Sequence, residues 1–176
     1  MNIPLTKART LADRVICELR PFCDRIAITG EVRMELPTIG LLELVCLPAD
    51  REGLLDRVKR HSTVGSVMPS RIQLSLANGF PMVLHLAKQG THELFTSVPG
   101  GYYPTLFETS CTPAFLDWFI DLAKSKGMRW DRNHGLLVSA GQWLFKEDDV
   151  LAAVGLAAIE PCARNCPPPQ SRATYA

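Results

Sequence analysis

The 176-residue chain is long enough for one globular domain, or for one domain with a small appendage. Its formal net charge of +1 excludes a strong global attraction to phosphate backbones, although a local basic face stays open. No apolar run has the length of a membrane span, and the first residues lack the apolar core of a secretion signal. We therefore expect a cytoplasmic protein without a membrane partner.

The six cysteines are scattered along the chain and form no CxxC pair. Only Cys162 and Cys166 are close in sequence, and none of the four histidines is spaced to complete a site with them. Structural zinc sites normally need closely spaced Cys or His pairs. We therefore expect reduced, mostly buried thiols, and no metal or cofactor.

The N-terminal region predicts an amphipathic helix from about 7 to 20. Leu11, Val15 and Leu19 recur every four residues and so share one helix face, and Pro21 ends the pattern. This apolar face is expected to pack on a sheet.

The next segment predicts a strand, a tight turn and a second strand. An apolar run at 26–28 meets Gly30, the turn residues of 37–40 follow, and a second apolar run occupies 41–47. Short apolar runs bounded by Gly and Pro are typical of buried strands.

The middle of the chain predicts a surface helix at 49–60, a loop at 61–70 and a β-hairpin. The hairpin strands are 71–76 and 80–86, with Asn-Gly at the turn, a pair favoured where φ is positive. Four strands with flanking helices indicate an α+β domain with a mixed sheet.

The second half of the chain predicts a loop, a helix, a short hairpin, a last helix and an irregular tail. Thr112 is a candidate N-cap, and Pro113 suits the first position of the helix. These segments lie, in that order, at 89–103, 113–127, 135–143, 147–156 and from 162 onward.

The order and spacing of several segments resemble the polymerase X-type (polymerase beta-like) nucleotidyltransferases, and the resemblance covers Leu11 to Asn165. No single motif is specific, whereas their order and spacing together are. The segments are IAITGEVRMELPTIGLLELVCLP, LADRVICELRPFCDRIAITG, LANGFPMVLHLA, LFETSC, FLDWFIDLAKSKGMRWDRNHGLLV and EDDVLAAVGLAAIEPCARN.

The resemblance implies a nucleotidyltransferase-type palm, with a mixed sheet and flanking helices, followed by a small thumb-like subdomain. The palm is expected at 1–105, the thumb-like subdomain at 106–165 and a flexible Pro-rich tail at 166–176. The helical DNA-binding domain of longer relatives is not expected. The compact layout is similar to that of phage or prophage proteins.

The catalytic carboxylates of this family hold two Mg²⁺ ions, and the resemblance places their three positions at Leu41, Glu43 and Val83. Only Glu43 is a carboxylate. His85 lies two residues beyond Val83 on the same strand face, but Mg²⁺ prefers oxygen ligands to imidazole. The resemblance therefore implies a catalytic site that has lost its metal pair.

The triphosphate site of the family is also incomplete in this sequence. Gly30 and Arg33 are present, but Glu31 replaces the family's serine and Met34 replaces its second basic residue. A carboxylate repels a triphosphate by several kcal/mol when it is partly desolvated.

Other candidate residues have both structural and functional interpretations. Glu43 is expected to pair with Arg33 across the strand pair, or else to bind a ligand, and His85 is expected to be a satisfied core or edge histidine. The candidate nucleic-acid contacts are Arg129, Trp130 and Arg132, and the candidate partner contacts are Tyr102 and Tyr103 in an apolar loop.

Three hypotheses follow. The first is a catalytically inactive polymerase X-like protein that binds a protein partner as a phage-type inhibitor, decoy or accessory factor. The second is nucleic-acid or nucleotide binding without catalysis. The third is a residual Mg²⁺-dependent nucleotidyltransferase that uses Glu43 with a relocated ligand such as His85.

Overall fold

The computed structural model describes residues 1–93, 96–98, 100–139 and 141–165, with 91–93 and 96–98 described for the backbone alone. The helices are α1 (Leu5–Leu19), α2 (Gly30–Arg33), α3 (Arg51–His61), α4 (Tyr102–Thr109), α5 (Pro113–Ser125) and α6 (Glu147–Ala153). The first strands are β1 (Ile3–Pro4), β2 (Cys23–Thr29), β3 (Thr38–Ile39), β4 (Leu42–Pro48), β5 (Ser62–Val67) and β6 (Arg71–Leu76). The remaining strands are β7 (Pro81–Leu86), β8 (Thr91–Glu93), β9 (Thr96–Val98), β10 (Arg129–Asp131), β11 (Gly135–Ser139) and β12 (Gln142–Leu144).

A five-stranded mixed sheet has the order β2-β4-β7-β6-β5. Its central pair, β4 and β7, is parallel, whereas the other neighbouring pairs are antiparallel. The expected α+β architecture with a mixed sheet is therefore confirmed. Two short antiparallel pairs, β1 with β3 and β8 with β9, lie outside this sheet.

One face of the sheet, here named the covered face, packs against α1 and α3. Alternate residues of β4 and β7 point to this face, because successive side chains of a strand point in opposite directions. They are joined by residues of both helices in one apolar core, which includes Ala12, Leu44, Leu54, Ile72 and Leu84.

The opposite face, here named the α4 face, carries a smaller apolar cluster and most of the buried polar contacts. Val45 and Ala87 pack there against Tyr102 and Leu106 of α4. The expected boundary between the two subdomains, after residue 105, falls inside α4.

A second core is built from α4, α5, α6 and the three-stranded sheet β10-β11-β12. Phe107, Phe115 and Phe119 are fully buried in it. The N-terminus of α5 is capped as predicted: the Thr112 hydroxyl accepts the N–H of Phe115 at 3.3 Å, and Pro113 occupies the first turn.

The hairpin of β6 and β7, with Gly79 at φ +78°, and the hairpin of β11 and β12 confirm the predictions for those segments. Two other predictions are wrong. Residues 62–67 of the expected loop form the edge strand β5, and the expected loop at 89–103 contains β8, β9 and the first residues of α4. The expected flexible tail at 166–176 lies outside the described residues. Among the described helices, none is both long and apolar enough to cross a membrane.

Candidate functional site

Two of the three positions implied for the catalytic carboxylates, Glu43 and Val83, are neighbours on the α4 face. Glu43 of β4 stands opposite Thr29 on β2 and opposite Val83 on β7. Leu41 directly precedes β4. Two of the three positions therefore present aliphatic side chains beside a single carboxylate.

The Glu43 carboxylate is paired with His85, not with Arg33. The distance from His85 Nε2 to Glu43 Oε1 is 3.0 Å, and the two side chains are 18% and 20% exposed, respectively. The expected ion pair between Glu43 and Arg33 is therefore wrong. Within the described ranges no group of three or more His, Cys, Asp or Glu side chains is placed to hold a metal ion.

Gly30, directly after β2, has a φ of +61°, a conformation that L-residues with a side chain rarely adopt. A Cβ atom at this position would lie 2.7 Å from Cδ of Glu43 and would clash with its carboxylate. Glycine is therefore required here both by the backbone and by the Glu43 side chain.

The Glu31 carboxylate is used for local structure. Its Oε2 accepts the backbone N–H groups of Gly40 at 2.6 Å and of Leu41 at 3.2 Å. A carboxylate at this point holds the turn that leads into β4. It also places a negative charge where the resemblance implies a phosphate group.

Arg33 forms an ionic cluster with two residues of the C-terminal region, here named the Arg33–Glu147–Arg164 bridge. Its guanidinium donates to Glu147 from Nη1 at 2.6 Å and from Nη2 at 3.0 Å. Arg164 Nη2 donates to Oε2 of the same carboxylate at 3.0 Å. The Arg164 side chain is 2% exposed, and its guanidinium also lies over the Phe107 ring.

Hydroxyl groups extend this polar contact between the two regions. Arg33 Nη1 donates to Ser110 Oγ at 2.8 Å. Thr29 Oγ1 lies 2.5 Å from Thr109 Oγ1 and 3.0 Å from Ser110 Oγ. Because Thr29 and Ser110 are fully buried, these contacts satisfy groups that would be costly to leave unpaired.

The environment of Glu147 favours its ionised form. Burial alone raises the pKa of this carboxyl, but the hydrogen bonds and charges of Arg33 and Arg164 more than offset burial, so the pKa lies below its ordinary value of 4.5. The Arg33 guanidinium is therefore already engaged by Glu147, a carboxylate that it shares with Arg164. This arginine is not free to receive a phosphate.

Two of the three candidate nucleic-acid contacts, Trp130 and Arg132, are bound to the same acidic residue. Trp130 Nε1 donates to Glu108 Oε1 at 2.7 Å, and Arg132 Nη2 donates to Glu108 Oε2 at 3.0 Å. The Trp130 ring also packs on Phe107 in the second core. Arg129 is exposed.

The candidate partner contacts are not part of an exposed loop, so that expectation is wrong. Tyr102 begins α4 and is 8% exposed. Arg25 of β2 lies over both rings, 5.8 Å from the Tyr102 centroid and 5.1 Å from the Tyr103 centroid, and donates to the Tyr103 hydroxyl. These tyrosines therefore hold α4 on the sheet.

The residues that sequence reasoning missed are Glu147, Arg164 and Thr29. Glu147 is the first residue of the helix predicted at 147–156, a position where acidic residues are common. Nothing in its sequence neighbourhood indicates a partner 114 residues away. Comparison of the sequence with models of protein families gives no match, and comparison with curated proteins gives none either.

Proposed function

We propose that the chain is a nucleotidyltransferase-type palm with a thumb-like subdomain that has lost catalysis and acts by binding a protein partner. Two features support the scaffold assignment. The motifs that resemble the polymerase X-type family follow one another in the family's order along the chain. In addition, Glu43 and Val83 are neighbours on parallel strands, so side chains at these two positions are close enough to share a site.

The observation that carries the proposal is the chemistry at these positions. Leu41 and Val83 offer no metal ligand, and the Glu43 carboxylate is paired with His85. A pair of divalent cations needs several oxygen ligands, in order to activate one oxygen and stabilise the leaving one. A single carboxylate in contact with an imidazole does not meet that requirement.

The residues at the positions implied for phosphate binding also support the loss of catalysis. Arg33 is paired with Glu147, and the Glu31 carboxylate faces the turn before β4. Binding of a triphosphate at this place would require breaking the first contact and would meet repulsion from the second.

Among binding functions, a protein partner fits better than a nucleic acid. The net charge of +1 provides little long-range attraction for a polyanion. Arg132 is paired with Glu108, which reduces the positive charge at the candidate nucleic-acid contact. An inhibitor, a decoy or an accessory factor, as in phage-type proteins, is a role that a scaffold without catalysis can serve.

The loss of catalysis is tested by measuring Mn²⁺ binding by electron paramagnetic resonance, together with nucleotide incorporation. The wild-type protein is expected to bind no manganese pair and to incorporate no nucleotide. The Leu41→Asp/Val83→Asp variant, which restores two carboxylates beside Glu43, is expected to gain Mn²⁺ binding. Incorporation by the wild-type protein that is lost in Glu43→Gln would overturn the proposal.

The binding role is tested by affinity capture from the native host, followed by reconstitution with the purified captured protein. A complex of defined stoichiometry that persists in high salt is the expected result. Retention on DNA or RNA at low salt that weakens steeply as salt is added would support the nucleic-acid alternative instead.

A further inference from the structure

An apolar groove lies between α1 and α3 on the covered face, at the end of the sheet formed by β5 and β6. Its floor is made by Leu74, Leu76 and Met82, and its walls include Leu19 of α1 and Val58 of α3. Its volume is about 310 Å³. The groove and the Glu43 site lie on opposite faces of the sheet.

The volume is sufficient for a small ligand. Pockets that bind small molecules begin at about 300 Å³. A dry apolar cavity of about 150 Å³ binds benzene, so a groove of about 310 Å³ has room for a flexible chain of on the order of ten carbon atoms.

The rim of the groove carries two arginines and one glutamate. Arg14 and Glu18 of α1 and Arg57 of α3 lie along it. Arg57 pairs with Glu18 across the mouth at 3.3 Å, and both side chains are substantially exposed, so this pair is weak. Arg14 makes no ion pair or side-chain hydrogen bond with any described residue, which leaves one uncompensated positive charge beside the apolar floor.

A second depression lies beside the first along α1, and Arg14 lines both. It has a volume of about 390 Å³, shares Leu11, Arg14 and Asn78 with the groove, and adds Lys7. The positive charge of the rim therefore extends beyond the groove, and no acidic side chain lines this second depression.

We propose that the groove binds an anionic amphiphile, a carboxylate with an acyl chain of about ten carbons. The acyl chain of the ligand lies on Leu74, Leu76 and Met82, and its carboxylate lies at Arg14. Burial of the chain supplies the affinity, whereas the charge of Arg14 selects an acid over a neutral or cationic head group.

The test is isothermal titration calorimetry of the full chain with decanoate, decanol and decyltrimethylammonium, each below its micelle concentration. Decanoate is expected to bind at one site per chain. The cationic amphiphile is expected to bind at least about tenfold more weakly, because it lacks the charge-assisted contact with Arg14. Butanoate, which has the same head group but a short acyl chain, is the control for acyl-chain length and is expected not to bind.

Two variants separate the two parts of the site. Leu76→Trp fills the groove and is expected to abolish decanoate binding. Arg14→Glu is expected to weaken decanoate about tenfold and to leave decanol unchanged, because only the head group loses its partner. Arg60→Glu, an exposed position of α3 away from the groove with the same charge change, is the matched control.

The proposal is overturned if decanoate does not bind, if the cationic amphiphile binds equally well, or if Arg60→Glu has the same effect as Arg14→Glu. Analytical ultracentrifugation of the wild-type and Leu76→Trp proteins tests whether the groove instead binds a second copy of the protein. A wild-type dimer that the substitution dissociates would assign the groove to a second copy of the chain.

Discussion

The two faces of the central sheet are held by different kinds of contact. The covered face is an apolar core between the strands and two amphipathic helices. The α4 face combines a small apolar cluster with the Glu43–His85 pair, the buried Thr29 hydroxyl and the Arg33–Glu147–Arg164 bridge. Apolar contacts are non-directional and tolerate a change of neighbour, whereas a buried charge depends on particular partners.

The sharpest test of this comparison is the removal of Glu147. In Glu147→Ala two guanidinium groups lose their shared carboxylate, one of them on a side chain that is 2% exposed. We expect the free energy of unfolding to fall by about 3–5 kcal/mol, the cost of leaving buried charges unpaired. Urea unfolding monitored by circular dichroism measures the loss, and the exposed neighbour Asp148→Ala is expected to have almost no effect.

A triple variant, Arg33→Met/Glu147→Leu/Arg164→Met, removes every charge of the bridge together. Because a well-packed apolar replacement of a buried ion cluster is often neutral, this variant is expected to recover most of the loss. A triple variant no more stable than Glu147→Ala would contradict this expectation.

The covered face is tested by Leu84→Ala. Leu84 is fully buried between Leu44 and Ile72 of the neighbouring strands. We expect a loss of about 2–5 kcal/mol from the lost apolar burial and from the cavity left behind. The exposed Gln73→Ala on the other face of β6 is the control, and a similar loss in both variants would contradict the assignment of the two faces.

Gly30→Ala tests the contact between the backbone turn after β2 and Glu43. The positive φ and the clash with the Glu43 carboxylate are together expected to cost about 2–4 kcal/mol. Gly79→Ala, at a similar φ but in open space, is expected to cost only about 1 kcal/mol. The difference in stability loss between the two substitutions, measured by thermal unfolding, should be smaller in a Glu43→Ala background. An unchanged difference would mean that the loss comes from the backbone conformation alone and not from the clash with Glu43.

The smallest expected effect is the pH dependence of the bridge. Since the folded pKa of Glu147 lies below 4.5, its ionised form stabilises the fold above that value, and the contribution is lost as the pH falls through the folded pKa. The free energy of unfolding of the wild-type protein should therefore fall more steeply below about pH 4.5 than that of Glu147→Gln. Parallel curves for the two proteins in urea titrations would assign the acid sensitivity to other carboxylates.

The parts of the fold that were predictable have strong local signals. The hairpin of β6 and β7 follows from alternation with Asn-Gly at its turn, and α5 follows from its apolar stripe and its Thr112 cap. Strand β5 was missed because Ser62–Val67 contains Gly and two Ser and no continuous apolar run. Helix α4 was missed because Pro104 and the preceding glycines are typical of a loop.

The candidate site was predictable in position but not in its contacts. The resemblance implied that Leu41, Glu43 and Val83 share a site, and of these Glu43 and Val83 are neighbours on β4 and β7. The prediction of Arg33 as the partner of Glu43 was wrong because the expected sheet placed two side chains that can pair with a carboxylate, Arg33 and His85, near Glu43. The choice was decided by Glu147, which engages Arg33 from a helix far along the chain.

The separation of 114 residues between Arg33 and Glu147 has a consequence for biosynthesis. The strands on either side of Arg33 leave the ribosome well before Glu147 does, so this arginine stays without its counter-ion until Glu147 has been synthesised. A product that terminates early therefore retains a guanidinium with no carboxylate to neutralise it. The complete bridge between the two regions therefore forms only after Arg164 has been synthesised.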